Sequence, residues 1–204
     1  MARQFLVGVD EAGRGPIAGP VAVGAVAIDL RRLKNYRRLL RDLKDSKQLT
    51  FVQREVWFSR LEELAGEGLL NFAVSLVGNQ IVDRQGIVWA VCLAASRSLY
   101  RLELAPESST VLLDGALRAP ARFIYQRTII RGDETEPIIA LASIAAKVSR
   151  DRKMLFWSRR YPDYGFAEHK GYGTKKHYQA LLKHGPTPLH RLSFLHWRYD
   201  GLSC

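Results

Sequence analysis

A chain of 204 residues with 47% hydrophobic and 25% charged side chains can bury a sizeable core as one domain, and this balance excludes wholesale disorder. Its 31 Lys and Arg against 20 Asp and Glu give a formal net charge of +11, which puts nucleic acid first among expected partners. Two cysteines, Cys92 and Cys204, have neither the number nor the spacing of a disulfide framework or zinc site, and no apolar run reads as a signal peptide or membrane span, so a cytoplasmic protein with no membrane partner is expected.

In chain order, residues 5–9 are a short apolar run ended by Ala12-Gly13-Arg14-Gly15-Pro16, a strand leading into a tight loop with Asp10 and Glu11 at the strand end. Residues 21–28 are small and β-branched and predict a buried second strand that pairs with the first as a hairpin. After the basic segment 31–44, Thr50 is suited to N-cap a helix reaching about residue 64, with Glu67 and Gly68 as its stop. A third strand is expected over 69–77. Residues 81 to about 104 have helical spacing of Val88, Val91, Cys92, Ala95, Leu99 and Leu102, and this helix is expected to be the central one. Two further strands, 110–113 and 123–130, are followed by Asp114-Gly115 and by Gly132-Asp133. From Pro137 an Ala-rich run, apolar nearly all round, predicts a buried helix to about residue 161. The segment 163–173 is dense in Gly, His and Tyr; a short amphipathic helix over about 175–183 and Gly185-Pro186-Thr187-Pro188 follow, as an excursion from the main sheet.

Acidic residues repeatedly follow strands: Asp10 and Glu11, then Asp114, then Asp133. A sheet can gather them. Four carboxylates in one cleft raise one another's pKa unless a cation compensates, and oxygen-only ligands suit Mg²⁺ and Mn²⁺. Two such ions side by side can activate water and stabilise the leaving oxygen of a phosphoryl displacement, with no nucleophilic side chain required. Each acid taken singly also fits a solvated turn; Asp10-Glu11 stands out because it lies between Val7-Gly8-Val9 and a glycine-rich loop.

Gly8-Val9-Asp10-Glu11-Ala12-Gly13-Arg14-Gly15-Pro16, Asp45-Ser46-Lys47-Gln48-Leu49, Leu113-Asp114-Gly115, Gly132-Asp133, Ala142-Ser143-Ile144-Ala145-Ala146-Lys147-Val148 and His169-Lys170-Gly171-Tyr172 together resemble the ordered motif set of the ribonuclease HII family, from about Gly8 to Phe194. The resemblance implies a ribonuclease H-like α/β fold: a central mixed five-stranded sheet flanked by helices in a catalytic domain over 1–160, and a small C-terminal helical substrate-binding extension over 161–204. It implies that Asp10, Glu11, Asp114 and Asp133 hold two divalent ions, Mn²⁺ or Mg²⁺. The implied substrates are RNA–DNA hybrids and duplex DNA with single embedded ribonucleotides, cut on the 5′ side of the ribonucleotide to leave 3′-hydroxyl and 5′-phosphate ends, by a monomeric enzyme. Leu141, before Ala142-Ser143, departs from the smaller residue expected there.

Telling ribose from deoxyribose requires donors and acceptors within about 3 Å of a 2′-hydroxyl. Gly13-Arg14-Gly15 lets backbone groups approach a sugar while Arg14 reaches a phosphate, and the resemblance assigns this triplet to 2′-hydroxyl sensing. Tyr172 is expected to stack beside the ribonucleotide junction, with a buried core tyrosine as the competing view. Ser46 and Lys47 are expected at a phosphate, and Lys147 needs an anion near it. His169, His177, His184 and His190 lack the Cys or acidic spacing of a zinc site and are expected to contact phosphates or serve structure. Two rival readings differ from this one: a transposase- or resolvase-like nuclease acting on DNA alone, and a catalytically silent basic RNA- or duplex-binding protein.

Overall fold

The computed structural model describes residues 4–32, 36–40, 43 and 49–195. Strands β1 (Phe5–Ala12) and β2 (Val21–Asp29) form the expected antiparallel hairpin, with Val9 opposite Ala25 and Asp10 opposite Gly24. Strand β3 (Leu70–Val77) adds antiparallel to β2, while β4 (Ser109–Asp114) runs parallel to β1 and β5 (Gln126–Ile129) parallel to β4. The resulting mixed sheet has the order β3-β2-β1-β4-β5. Because β1 and β4 are parallel neighbours whose pairing ends at Val9 and Leu113, the next residues, Asp10 and Asp114, emerge at the same edge.

Helices cover both faces. Thr50 caps α2 (Phe51–Gly66) through a reciprocal pair: its Oγ1 accepts from the Gln53 amide at 3.3 Å, and Gln53 Oε1 accepts from the Thr50 amide at 2.8 Å. Helix α1 (Tyr36–Leu39) is a single turn. The one helix expected from residue 81 onward is two, α3 (Asn79–Gln85) and α4 (Ile87–Arg101), broken where Gly86 takes φ +83°. Helix α4 lays Val91, Ala94, Ala95 and Leu99 against Val21, Val23 and Ala25 of β2 and against Val7, Val9 and Val111. The opposite face packs on α2 and on α6 (Pro137–Arg160) through Val26, Ile28, Phe58, Leu61, Leu64, Ile139, Leu141 and Ile144. Leu141, where a smaller residue is expected, is buried in this layer. Burial on both sides explains why β2 reads as a continuous apolar run instead of alternating.

The central helix is α6, not the 81–104 segment. A Cβ on Gly8 would stand 2.3 Å from the Ile138 carbonyl oxygen, and one on Gly24 2.2 Å from that of Ala142, so α6 lies with its backbone directly on β1 and β2. Strand β5 is shorter than expected, and Asp133 sits on a single helical turn, α5 (Gly132–Thr135), instead of directly at a strand end.

Beyond α6 come α7 (Phe166–His169) and α8 (Lys175–His184). Tyr164, Phe166, Leu181 and Leu189 form a third core with Ile17, Ala18 and Met154. The loop after β1 is stitched into this layer: Ile17 donates to the Gly171 carbonyl at 2.9 Å, Gly19 to that of Leu189 at 2.8 Å, and Arg191 to that of Ile17 at 2.8 Å. Among the described residues, no helix is long and apolar enough to cross a membrane.

Candidate active site

Asp10, Glu11 and Asp114 line one cleft of about 400 Å³ together with Ala12, Gly13, Arg54, Ser143, Lys147 and Tyr172. Asp10 is buried, and its Oδ1 accepts the Glu11 amide at 2.7 Å. Burial pushes its carboxyl well above the usual carboxylate range; the charges of Glu11 and Asp114 add to this, and a hydrogen bond from Ser143 opposes it. Glu11 is raised as well, chiefly by burial, with the Arg14 guanidinium opposing. Asp114 Oδ1 accepts the Gly132 amide at 2.6 Å and lies 3.4 Å from that of Asp133. Asp133 is thereby held, buried, beside Asp114 rather than among the cleft-lining side chains.

The four acids share a neighbourhood without converging on one point, and no group of three or more His, Cys, Asp or Glu among the described residues is already drawn in around a common centre. Some of their oxygens are held by other partners: Arg14 Nε meets Glu11 Oε1 at 2.6 Å, and the α5 turn holds Asp114. The donor set still fits a hard divalent cation. It consists of carboxylate oxygens, Asp10 is desolvated among like charges, and the buried Glu11 Oε2 has no hydrogen-bond partner.

Gly13, the first residue of the loop Gly13-Arg14-Gly15, lines one wall of the cleft. Gly13 has φ +91°, and a Cβ there would fall 2.1 Å from Arg150 Nε, so a side chain at this position would be strained and would have to displace the buried Arg150. Arg14, expected at a phosphate, pairs with Glu11. Tyr172 is 43% exposed, which rules out the core-tyrosine view; its ring centroid lies 5.7 Å from Lys147 Nζ and 5.8 Å from Arg150 Cζ. Lys147 has its anion in Asp151, at 3.0 Å, one helical turn on. Ser46 and Lys47 lie outside the described residues.

A second groove continues from the cleft through Arg54, Lys147 and Tyr172 to Asp151, Lys170 and Thr174. Its lining mixes Arg54, Lys147 and Lys170 with Asp151 and Glu168. Arg54, Ser143 and Asp151 were not singled out in the sequence; Ser143, Lys147, Arg150 and Asp151 do fall at i, i+4, i+7 and i+8, one stripe of α6, and that spacing was the available signal. Of His169, His177, His184 and His190, all but His184 are buried and joined to one another and to backbone, which makes them structural.

The family model described as Ribonuclease HII matches residues 7–197. The chain is 45% identical over 189 residues to the ribonuclease HII of Endomicrobium trichonymphae, covering 93% of this chain and 84% of that one. Among solved structures it superimposes on the ribonuclease HII of Archaeoglobus fulgidus, determined in complex with PCNA, with a TM-score of 0.70 at 25% identity over 92% of this chain and 94% of that one. The Bst ribonuclease HIII structure with Mn²⁺ shares the fold, with a TM-score of 0.65 at 20% identity over 94% of this chain and 67% of that one.

Proposed function

Because the chain belongs to the ribonuclease HII family and is an endoribonuclease of the ribonuclease H type, we propose that it hydrolyses RNA in RNA–DNA hybrids and cuts 5′ of single ribonucleotides embedded in duplex DNA, leaving 3′-hydroxyl and 5′-phosphate ends. The observation that carries this reading is that Asp10, Glu11 and Asp114 line one cleft together with Gly13, Lys147 and Tyr172. Asp10, Glu11, Asp114 and Asp133 would hold two divalent ions, Mg²⁺ or Mn²⁺, which would supply an activated water and stabilisation of the leaving oxygen. The Mn²⁺ in the Bst ribonuclease HIII supports that choice of ion.

The protein's own groups do the rest. Ser143 hydrogen-bonds the Asp10 carboxyl and fixes its orientation at the end of β1. Gly13-Arg14-Gly15 brings backbone to the ribose, and Tyr172, its face held over two cations, stacks on the sugar at the RNA–DNA junction. Lys147, Ser46 and Lys47 attract phosphates, and the groove through Arg54 and Lys170 guides the strand. Residues 161–204 act as the substrate-binding extension of a 1–160 catalytic domain. The enzyme works as a cytoplasmic monomer.

The family match sets aside the silent binding protein, and the glycine loop argues against a nuclease that reads DNA alone. The test is a DNA duplex bearing one ribonucleotide beside its all-DNA twin, each incubated with Mg²⁺, Mn²⁺ or chelator. One metal-dependent cut 5′ of the ribonucleotide, and none in the twin, is expected; equal cutting of both would refute the selectivity.

A further inference from the structure

Arg191 is fully buried, and its guanidinium donates to three backbone carbonyls: Nη2 to that of Gly13 at 2.7 Å, Nη1 to that of Arg14 at 2.8 Å and Nε to that of Gly19 at 3.0 Å. A buried cation without a carboxylate contact is a costly way to hold a loop. Burial and the neighbouring Arg150 guanidinium lower its pKa to about 10, yet it remains a cation at neutral pH. This expense falls on the two peptide groups that precede Arg14 and Gly15.

In a trans peptide the carbonyl and the amide point in opposite directions. With the Gly13 and Arg14 carbonyls drawn inward by Arg191, the amides of Arg14 and Gly15 are turned the other way, and neither makes a hydrogen bond among the described residues. Beside them a Cβ on Gly15 would meet nothing within 4 Å, so that side of the loop is open. On the reading that this loop senses the ribose, we infer that Arg191 is a positioning residue for sugar selection: it presets two backbone donors as a rigid pair facing the substrate's oxygens.

The clamp is itself anchored on α3. Asn79 Nδ2 donates to the carbonyls of Pro188 and His190, both at 2.9 Å, and the Asp83 carboxylate accepts from the amides of Leu192 and Ser193, both at 3.0 Å. The C-terminal layer therefore reaches across 177 residues to shape the loop after β1.

The experiment measures kcat and KM on a duplex with one ribonucleotide, and, in chelator, the ratio of affinities for that duplex and its all-DNA twin. Arg191→Lys keeps a charge but cannot span three carbonyls; it should lower kcat by roughly 10- to 100-fold with KM changed far less, and shift the affinity ratio towards one. Folding is checked by melting temperature. A folded Arg191→Lys enzyme with kcat and affinity ratio both unchanged overturns the inference. Should Arg191→Lys fail to fold, the Asn79→Ala, Asp83→Asn double variant loosens the same clamp from the surface, and normal sugar selection in that variant overturns it equally. Gly15→Ala separates the two layers of the reading. Loss of selection in Gly15→Ala beside an unaffected Arg191→Lys refutes the clamp alone, whereas an unaffected Gly15→Ala refutes sugar sensing by the loop.

Discussion

His177 and His190 meet Nε2 to Nε2 at 3.0 Å with neither ring exposed. The surrounding bonds fix the tautomers. His177 Nδ1 faces the Tyr172 carbonyl at 2.9 Å and must donate, and His190 Nδ1 accepts the Thr187 amide at 2.8 Å, so the shared proton belongs to His190. His169, stacked on His177 with centroids 4.3 Å apart, donates from Nε2 to the Tyr164 carbonyl at 2.7 Å. The relay is satisfied only with neutral rings.

A loss of stability in mild acid follows from this relay. Burial pushes both His177 and His190 down to about 4, against about 6.5 in an unfolded chain. Between those values the unfolded state binds more protons, so stability is complete above about pH 6.5 and falls as pH drops towards 4. Melting temperature should be flat from pH 7 to 8 and decline below 6.5. His177→Gln, which can donate and accept but not titrate, should show a shallower decline; an identical slope would count against the relay as its source.

Asp10→Asn should abolish nearly all cleavage while substrate affinity stays the same or rises, because it removes a metal donor and a negative charge facing phosphate. Single-turnover cleavage and fluorescence anisotropy on one preparation check both halves. Cleavage near the unmodified rate would remove Asp10 from the metal site.

For Tyr172→Ala, kcat/KM on an embedded ribonucleotide should drop about ten- to a hundredfold, equivalent to roughly 1–3 kcal/mol of stacking. Since the ring is exposed, melting temperature should change little. Tyr172→Phe should retain most of the activity. Full activity in a folded Ala variant would defeat the stacking role.

Gly24→Ala should destabilise the protein by about 1–3 kcal/mol, or several degrees in melting temperature, because the added methyl would stand 2.2 Å from the Ala142 carbonyl oxygen and force α6 off the sheet. Gly66→Ala, whose Cβ meets nothing within 4 Å near the end of α2, should leave the melting temperature unchanged or slightly raised. Equal effects of the two would refute the close approach of α6 to Gly24.

The hairpin, the N-cap of α2 and the span of α6 were readable locally, because apolar runs, Thr50 and Pro137 act within a few residues of where they stand. The identity of the central helix was not. An amphipathic stripe such as Val91, Ala95 and Leu99 signals more strongly than an Ala-rich helix, yet small residues meeting Gly8 and Gly24 are what allow the closest packing. The break at Gly86 was masked by apolar spacing that continues through it. Asp10, Glu11 and Asp114 could be placed together because β1 and β4 end side by side, whereas the position of Asp133 depends on the α5 turn. Arg54 and Arg191 acquire their roles only from partners far away in the chain, which no local pattern encodes.

Helix α6 bears Ser143 at Asp10, Lys147 and Arg150 at Tyr172, and Met154 in the C-terminal core, all on one 24-residue rod about 36 Å long. Such a rod works as a ruler. Removing one residue between Ser143 and Lys147 would turn everything downstream by about 100° and draw it in by about 1.5 Å, swinging Lys147 and Arg150 out from under the tyrosine while Ser143 stayed beside the acid. Within this stretch single-residue insertions and deletions should therefore be far less tolerated than substitutions, since length here encodes the spacing between Asp10 and Tyr172.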